Sequence, residues 1–177
     1  MDARWTEAND KIHNQFNRGG IAFRKLDLDT LELHIDADGM QKAMKASGDT
    51  SAVPYGYVVP KTVTDNGVTY QAKSVWVDPR HDLNGGVFVH ELLHVYSWPL
   101  PTQNRNDVSE GLTDYFTRKI DWTFRNRAYD KQVQYVEDFV KKNGSEEELE
   151  KWYFCHRPEF IMKKLGQTFI NWRYMKP

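Results

Sequence analysis

The residues of this chain whose types and spacing could do chemistry are two histidines and a glutamate in an apolar segment. His90, Glu91 and His94 form the pattern His-Glu-x-x-His between residues 87 and 96. On a helix His90 and His94 lie one turn apart on the same face, so both imidazoles can reach one metal ion. Glu91 lies about 100° further round the helix, where its carboxylate can act as a general base beside the metal. The pattern predicts a zinc site.

The alternative interpretation of this segment is a chance match in which each polar side chain makes an ordinary hydrogen bond in the core. An apolar helix is normally buried. Burying three polar groups without partners would cost several kcal/mol. A metal ion that both rings bind and that neutralises the glutamate removes this cost, so the zinc interpretation is favoured.

A third metal ligand is expected downstream. The metzincin continuation is absent, because Ser97 and Leu100 stand where that pattern has glycine and histidine. Glu110 and Asp114 are four residues apart and share one face of the next predicted helix. Glu110 as third ligand would leave a coordination position open for water, as in catalytic zinc sites, and Asp114 would accept a hydrogen bond from a ligating histidine. The alternative is a capping box in which Asp107 is the N-cap and Glu110 reaches back to the helix start.

These residues together resemble the gluzincin clan of zinc metallopeptidases, the thermolysin-like architecture. The resemblance covers about residues 84 to 120, and residues 109–117 are similar to small members of the clan, some of which are bacterial toxin or effector domains. It implies a zincin-like fold in which His90, His94 and Glu110 bind one zinc ion, Glu91 is the base and Asp114 supports a histidine. A toxin-like role would further imply a cognate inhibitor protein. One departure is the short segment, residues 95–109, between the second histidine and Glu110.

Gluzincin-like sites also use a side chain that hydrogen-bonds the oxyanion as it forms. Tyr153 is the first choice for this catalytic role, because its aromatic segment follows a predicted helix that could fold back over the site. The other candidates are His81, Tyr115, His156 and Arg157.

The leading functional hypothesis is a zinc-dependent metallopeptidase that acts on a peptide or protein substrate. Zinc would activate a water molecule, and Glu91 would accept its proton and pass it to the leaving amine. One alternative keeps the zinc but changes the substrate to a non-peptide amide, as in a deacylase. Another is a non-catalytic binding module stabilised by zinc, although a structural site needs no base such as Glu91.

Both helices and strands are needed to position these residues. Helical patterns cover residues 3–17, 38–47, 86–97, 107–126, 130–143, 146–155 and 158–173, and short strands are expected within 21–36, 55–64 and 68–77. Asn66-Gly67 between the last two runs predicts a hairpin. Residues 70–77 are the candidate edge strand to which an extended substrate could add, with an ordinary sheet strand as the alternative. Because a small N-terminal sheet precedes a helical C-terminal half, the fold class is α+β.

Length and composition limit the number of domains and the classes of protein to which this chain could belong. The 177 residues fit a single domain, and 24 basic against 25 acidic residues give a net charge of -1 with no basic footprint for nucleic acid. No apolar run is long enough for a membrane span, and residues 1–5 lack the features of a secretory signal. We therefore expect a cytoplasmic protein, or a domain delivered as part of a larger or non-classically secreted protein.

Cys155 is the single cysteine, which excludes an intramolecular disulfide, and it is expected to be a buried thiol.

Overall fold

The computed structural model describes residues 1–17, 23–50, 54–81, 85–98, 106–124, 127–143 and 146–155. This part of the chain is α+β and mostly helical, with a small sheet, a separate two-stranded hairpin and six α-helices. The helices are α1 (Ala3–Phe16), α2 (Ala37–Ala46), α3 (Gly86–Tyr96), α4 (Asn106–Ile120), α5 (Asp130–Asn143) and α6 (Glu146–Cys155). Among the described residues, no helix is both long and apolar enough to cross a membrane.

Five short strands lie between α1 and α3. They are β1 (Leu33–Ile35), β2 (Gly56–Val58), β3 (Val63–Asp65), β4 (Val68–Tyr70) and β5 (Val75–Val77). The three-stranded sheet has the order β1-β5-β2, with β5 parallel to β1 and antiparallel to β2. The prediction that residues 70–77 form an edge strand is therefore wrong. Tyr70 ends the hairpin strand β4, while β5 is central, and its three residues are all buried, as is typical of a strand covered on both faces.

The predicted hairpin at Asn66-Gly67 is confirmed. Strands β3 and β4 pair antiparallel in the register Asp65 with Val68. Asn66 and Gly67 have φ values of 48° and 79°. Two consecutive positive φ angles match the primed turns of tight hairpins, which asparagine and glycine adopt at low cost.

Helix α3 lies at the centre of the main hydrophobic core. Ten of its eleven residues are buried, and the exception is His94, whose side chain is 13% exposed. Helix α1 packs on one side of it through an edge contact between Trp5 and Phe88, whose ring centroids are 4.5 Å apart. Helix α4 joins the same core, where the Phe116 ring lies 5.5 Å from that of Phe16. The apolar sequence around His90 thus produces a helix that is covered on all sides by other elements.

The observed elements differ from the predicted ones at several boundaries. Within 21–36 the described residues contain one strand, β1, and a short 3₁₀ turn at Leu28–Thr30, whose start is capped by Asp27 accepting from the Asp29 amide. Helix α4 ends at Ile120 rather than at 126, and Asp121 stops it by accepting hydrogen bonds from the amide and hydroxyl of Thr123. The predicted helix 158–173 and the Cys155 side chain lie outside the described residues.

Candidate metal centre

The two histidines of α3 meet through their Nε2 atoms. The spacing of one helical turn brings His90 Nε2 to 3.1 Å from His94 Nε2. Both side chains are almost fully covered, with 6% of His90 and 13% of His94 exposed. Helical spacing and a buried helix therefore produce a pair of converging imidazole nitrogens, as the sequence pattern predicts.

Glu110 on α4 completes the group. Its Oε2 atom lies 3.1 Å from His90 Nε2, and its Oε1 atom lies 3.3 Å from His94 Nε2. One ligand atom from each of the three residues lies within 4.8 Å of the other two. His90, His94 and Glu110 thus form a group that could hold a metal ion.

The capping alternative for Glu110 gains no support from this geometry. Both of its carboxylate oxygens face the histidines rather than the start of the helix. Helix α4 begins at Asn106, so the backbone of Asp107 is already inside the first turn. The side chain of Asp107 lies outside the described residues.

The outer nitrogens of the two rings have different partners. Asp114 Oδ1, which is fully buried, lies 2.9 Å from His90 Nδ1. The guanidinium of Arg118 lies 3.6 Å from Asp114 Oδ2 and 2.7 Å from Asp130 Oδ1 at the start of α5. His94 Nδ1 instead lies 3.4 Å from the hydroxyl oxygen of Thr113. Both partners come from α4, the helix that also carries Glu110.

The chemistry of these donors fits a cation. A carboxylate can only accept, so the charge of Asp114 favours a neutral His90 ring with its hydrogen on Nδ1 and its Nε2 lone pair toward Glu110, although the 2.9 Å contact is not aligned as a hydrogen bond. Burial disfavours the charged form of His90, but the carboxylates of Asp114 and Glu110 outweigh burial and raise its pKa well above the usual range. Burial likewise opposes ionisation of Glu110, yet His94 and His90 hold its pKa well below the usual range. A proton or a metal ion must lie among these atoms, and metal binding would release the proton.

Glu91 lies beside the group in a dry environment. Only 5% of its surface is exposed, and burial raises its pKa from the ordinary value of 4.5 to about 7, despite the opposing effect of His90 and His94. Strand β2 covers it closely, since a Cβ atom on Gly56 would lie 2.5 Å from the Glu91 carboxyl carbon. Glycine at position 56 is therefore what leaves room for this carboxylate. A carboxylate with a pKa near neutrality is suited to general-base chemistry.

Known proteins give no further identification. Comparisons with protein-family models, curated proteins and solved structures find no match. The resemblance to gluzincins therefore depends on the motif residues and on the geometry of the metal-binding group alone.

The candidates for the oxyanion-stabilising role lie elsewhere in the structure or outside its described part. Tyr153 is fully buried in α6, with its hydroxyl 2.7 Å from Thr113 Oγ1 and 3.3 Å from the Leu93 carbonyl oxygen. Since Thr113 contacts His94 at Nδ1, this hydroxyl is behind the ring and not on the Nε2 side. The Tyr115 hydroxyl donates to Glu146. His81 contacts the ring of Tyr55 and lies 3.8 Å from Asp78, and His156 and Arg157 lie outside the described residues.

Three residues near the site were not predicted from the sequence. Burial, followed by repulsion from Glu110, Asp114 and Glu91, raises the pKa of Tyr129 far above its usual value. Tyr129 lies in the 3₁₀ turn Arg127–Tyr129, which packs against α4. The Phe124 ring lies 5.7 Å from that of His90, and Thr113 contacts His94. The position of Thr113, three residues after Glu110 on one helix face, is a signal that could have identified it.

Proposed function

We propose that this chain is a zinc metallopeptidase with a gluzincin-type ligand set in a zincin-like domain. The observation that carries the proposal is the convergence of His90, His94 and Glu110 with a buried Glu91 carboxyl beside them. Ligands alone would fit a structural metal. A carboxyl group that does not belong to the ligand set, and whose pKa is raised to about 7, adds a base where hydrolysis needs one.

Zinc is the metal that this donor set favours. Two imidazoles and one carboxylate match the three protein ligands of catalytic zinc sites, which keep a fourth position open. Among the described residues, no fourth histidine, cysteine or acidic side chain joins the group. The Asp114 contact at His90 Nδ1 is the kind of outer partner that holds a zinc-binding imidazole in one orientation.

Among the side chains of the protein, Glu91 would make the main contribution to catalysis. When bound, zinc would lower the pKa of a water molecule and polarise the scissile carbonyl. Glu91 would take the proton from that water and deliver it to the leaving amine. Because β2 excludes solvent from one side of Glu91, its carboxylate is poorly hydrated, and transfer of a proton to it is correspondingly favourable.

Strand β2 supports a peptide as the substrate. The Val59 amide donates to the Ser74 carbonyl, and the Asp78 amide donates to the Tyr55 carbonyl. Hydrogen-bonded pairs alternate along an antiparallel ladder, so Gly56 and Val58 turn their backbone groups away from β5, whereas Tyr57 faces Trp76. Within the described part of the chain, no strand pairs with this outer side of β2. An extended peptide could add there, next to Glu91, and this replaces the edge predicted at 70–77.

Tyr129 is our candidate for the oxyanion-stabilising group. Its 3₁₀ turn packs against the helix that carries Glu110, and its hydroxyl experiences the charges of Glu110, Asp114 and Glu91, which come from two different helices. These three carboxylates are close enough to Tyr129 to raise its pKa, which supports a position of this side chain near the site. The raised pKa keeps the phenol protonated, which is the form that can donate a hydrogen bond to a developing oxyanion.

The test combines metal analysis with a cleavage assay on the full chain. We expect one zinc per chain by elemental mass spectrometry after zinc-replete purification, and cleavage of a denatured protein mixture. Glu91→Gln should keep the zinc and lose at least ~100-fold in hydrolysis. His90→Ala should lose both. Zinc with hydrolysis of N-acyl substrates but not of peptides would indicate a deacylase, and zinc without any hydrolysis would indicate a binding module. Zinc near zero would refute the proposal.

A further inference from the structure

The hydrogen bonds behind His94 form a continuous chain that ends inside the core. His94 Nδ1 lies 3.4 Å from Thr113 Oγ1, which lies 2.7 Å from the Tyr153 hydroxyl oxygen. The Tyr153 hydroxyl in turn lies 3.3 Å from the carbonyl oxygen of Leu93. Thr113 and Tyr153 have no exposed surface. The chain connects α3, α4 and α6 through two hydroxyl groups and one imidazole.

The Tyr153–Thr113 pair taken alone could donate in either direction, but all three contacts can be hydrogen bonds at the same time in only one arrangement. A backbone carbonyl can only accept, so in that arrangement the Tyr153 hydroxyl uses its single hydrogen to donate to Leu93. The Tyr153 oxygen then accepts from Thr113, and this bond uses the one hydrogen of the threonine hydroxyl. Thr113 Oγ1 can therefore only accept from His94, and this requires the hydrogen on Nδ1. In that tautomer the lone pair of His94 lies on Nε2, the atom that faces His90 and Glu110.

We propose that Thr113 and Tyr153 form a relay that fixes the tautomer and ring orientation of His94 as a metal ligand, so that Tyr153 is a positioning residue and not a catalytic one. The inference rests on the proposed function for the identity of the metal. It assigns roles to two residues that do not contact the metal-binding group through its ligand atoms. The relay also connects α6 to the site, since Tyr153 is the α6 residue that reaches Thr113.

The two histidines are therefore held by different chemistry. His90 faces the carboxylate of Asp114, whereas His94 faces a neutral hydroxyl. A neutral acceptor polarises the imidazole less than a carboxylate does, so the effect of the relay is mainly orientation and tautomer selection. On the Nε2 side of His94 the competing acceptors are Glu110 and His90 Nε2, which without a metal could hold the hydrogen on Nε2 instead.

The experiment compares Thr113→Val with Thr113→Ser and Tyr153→Phe in the full chain. Valine keeps the shape of threonine but cannot accept from His94, while serine keeps the hydroxyl and is the matched rescue. We expect zinc dissociation constants to rise roughly 10-fold in Thr113→Val, within the 10 to 100-fold typical of lost outer partners, and to return toward wild type in Thr113→Ser. Tyr153→Phe should show a smaller rise, because Thr113 then keeps its hydroxyl but can rotate it. If Thr113→Val does not fold, Tyr153→Phe is the decisive variant.

Nitrogen-15 NMR of the histidine rings shows which nitrogen of His94 carries the hydrogen, and this measurement does not depend on activity. In a metal-free chain that carries both His90→Ala and Glu110→Ala, which removes the two competing groups on the Nε2 side, we expect His94 to carry its hydrogen on Nδ1. Thr113→Val in that background should shift the hydrogen toward Nε2. A His94 tautomer that stays the same in Thr113→Val, or wild-type zinc affinity in both Thr113→Val and Tyr153→Phe, would overturn the relay. If the wild-type chain hydrolyses no peptide but the variants show the expected tautomer shift, the proposed function would be overturned and the relay would stand.

Discussion

Replacing Glu91 by glutamine should stabilise the metal-free protein in a pH-dependent way. Burial raises the pKa of Glu91 from 4.5 to about 7 in the folded chain, so folding favours the neutral carboxyl. The folded state then binds more protons than the unfolded state, and stability is lost as pH rises from 4.5 toward 7. A shift of this size corresponds to about 3 kcal/mol above neutral pH. Glutamine resembles the neutral carboxyl and avoids this loss.

The measurement is urea unfolding of chelator-treated protein at several pH values between about pH 5 and pH 8, followed by circular dichroism. The stability of Glu91→Gln minus that of wild type should be small at the acidic end and approach about 3 kcal/mol at the alkaline end. Glu32→Gln is the matched control, because Glu32 is exposed, and its difference should stay near zero throughout. Adding zinc should reduce the advantage of Glu91→Gln, since a nearby cation stabilises the ionised carboxylate.

The reasoning would be refuted by a Glu91→Gln difference that is the same at every pH, or by a destabilised Glu91→Gln at the alkaline end. Either result would mean that the carboxylate of Glu91 is ionised at little cost and has a partner in the folded protein. Glu91 would then be a structural residue, and a different base would have to serve hydrolysis. The zinc stoichiometry would not change that conclusion.

Three further substitutions test the site. Gly56→Ala should keep zinc, by elemental analysis, but slow peptide cleavage by at least ~10-fold, because the new methyl group displaces Glu91; wild-type rates would contradict the close approach. Glu110→Gln should weaken zinc binding in calorimetry by well over the ~100-fold limit of outer-partner losses, while Asp107→Ala keeps wild-type affinity; equal affinities would remove Glu110 from the ligand set. Tyr129→Phe should lower kcat by roughly 100-fold at unchanged zinc content, and an unchanged kcat in steady-state kinetics would remove Tyr129 from the mechanism.

The elements whose information is local could be predicted from the sequence. The apolar residues around His90 and the four-residue spacings predicted helices α3 and α4, and both are present. Asn66-Gly67 predicted the hairpin, because the turn depends on backbone preferences of those two residues. The approach of Glu110 to the histidines was predicted from spacing and resemblance, and the structure brings the three side chains together.

Features that depend on distant residues were not predicted. Strand β5 is central because Val75 pairs with Leu33 on one side and Val58 on the other, and its sequence does not reveal either partner. The direction of the Tyr153 hydroxyl is set by packing of α6 against Thr113, so an aromatic pattern could not distinguish a position over the site from one behind it. Tyr129 depends in the same way on how the turn before α5 packs against α4.

Arg118 links the outer partner of His90 to the start of α5. Its guanidinium contacts Asp114, the partner of His90, and also Asp130, the residue next to Tyr129. If the proposed metal ion binds at His90, it would release a proton and change the charge that Asp114 faces. Because Arg118 contacts both Asp114 and Asp130, the start of α5 and the neighbouring Tyr129 would then be sensitive to whether the ion is bound.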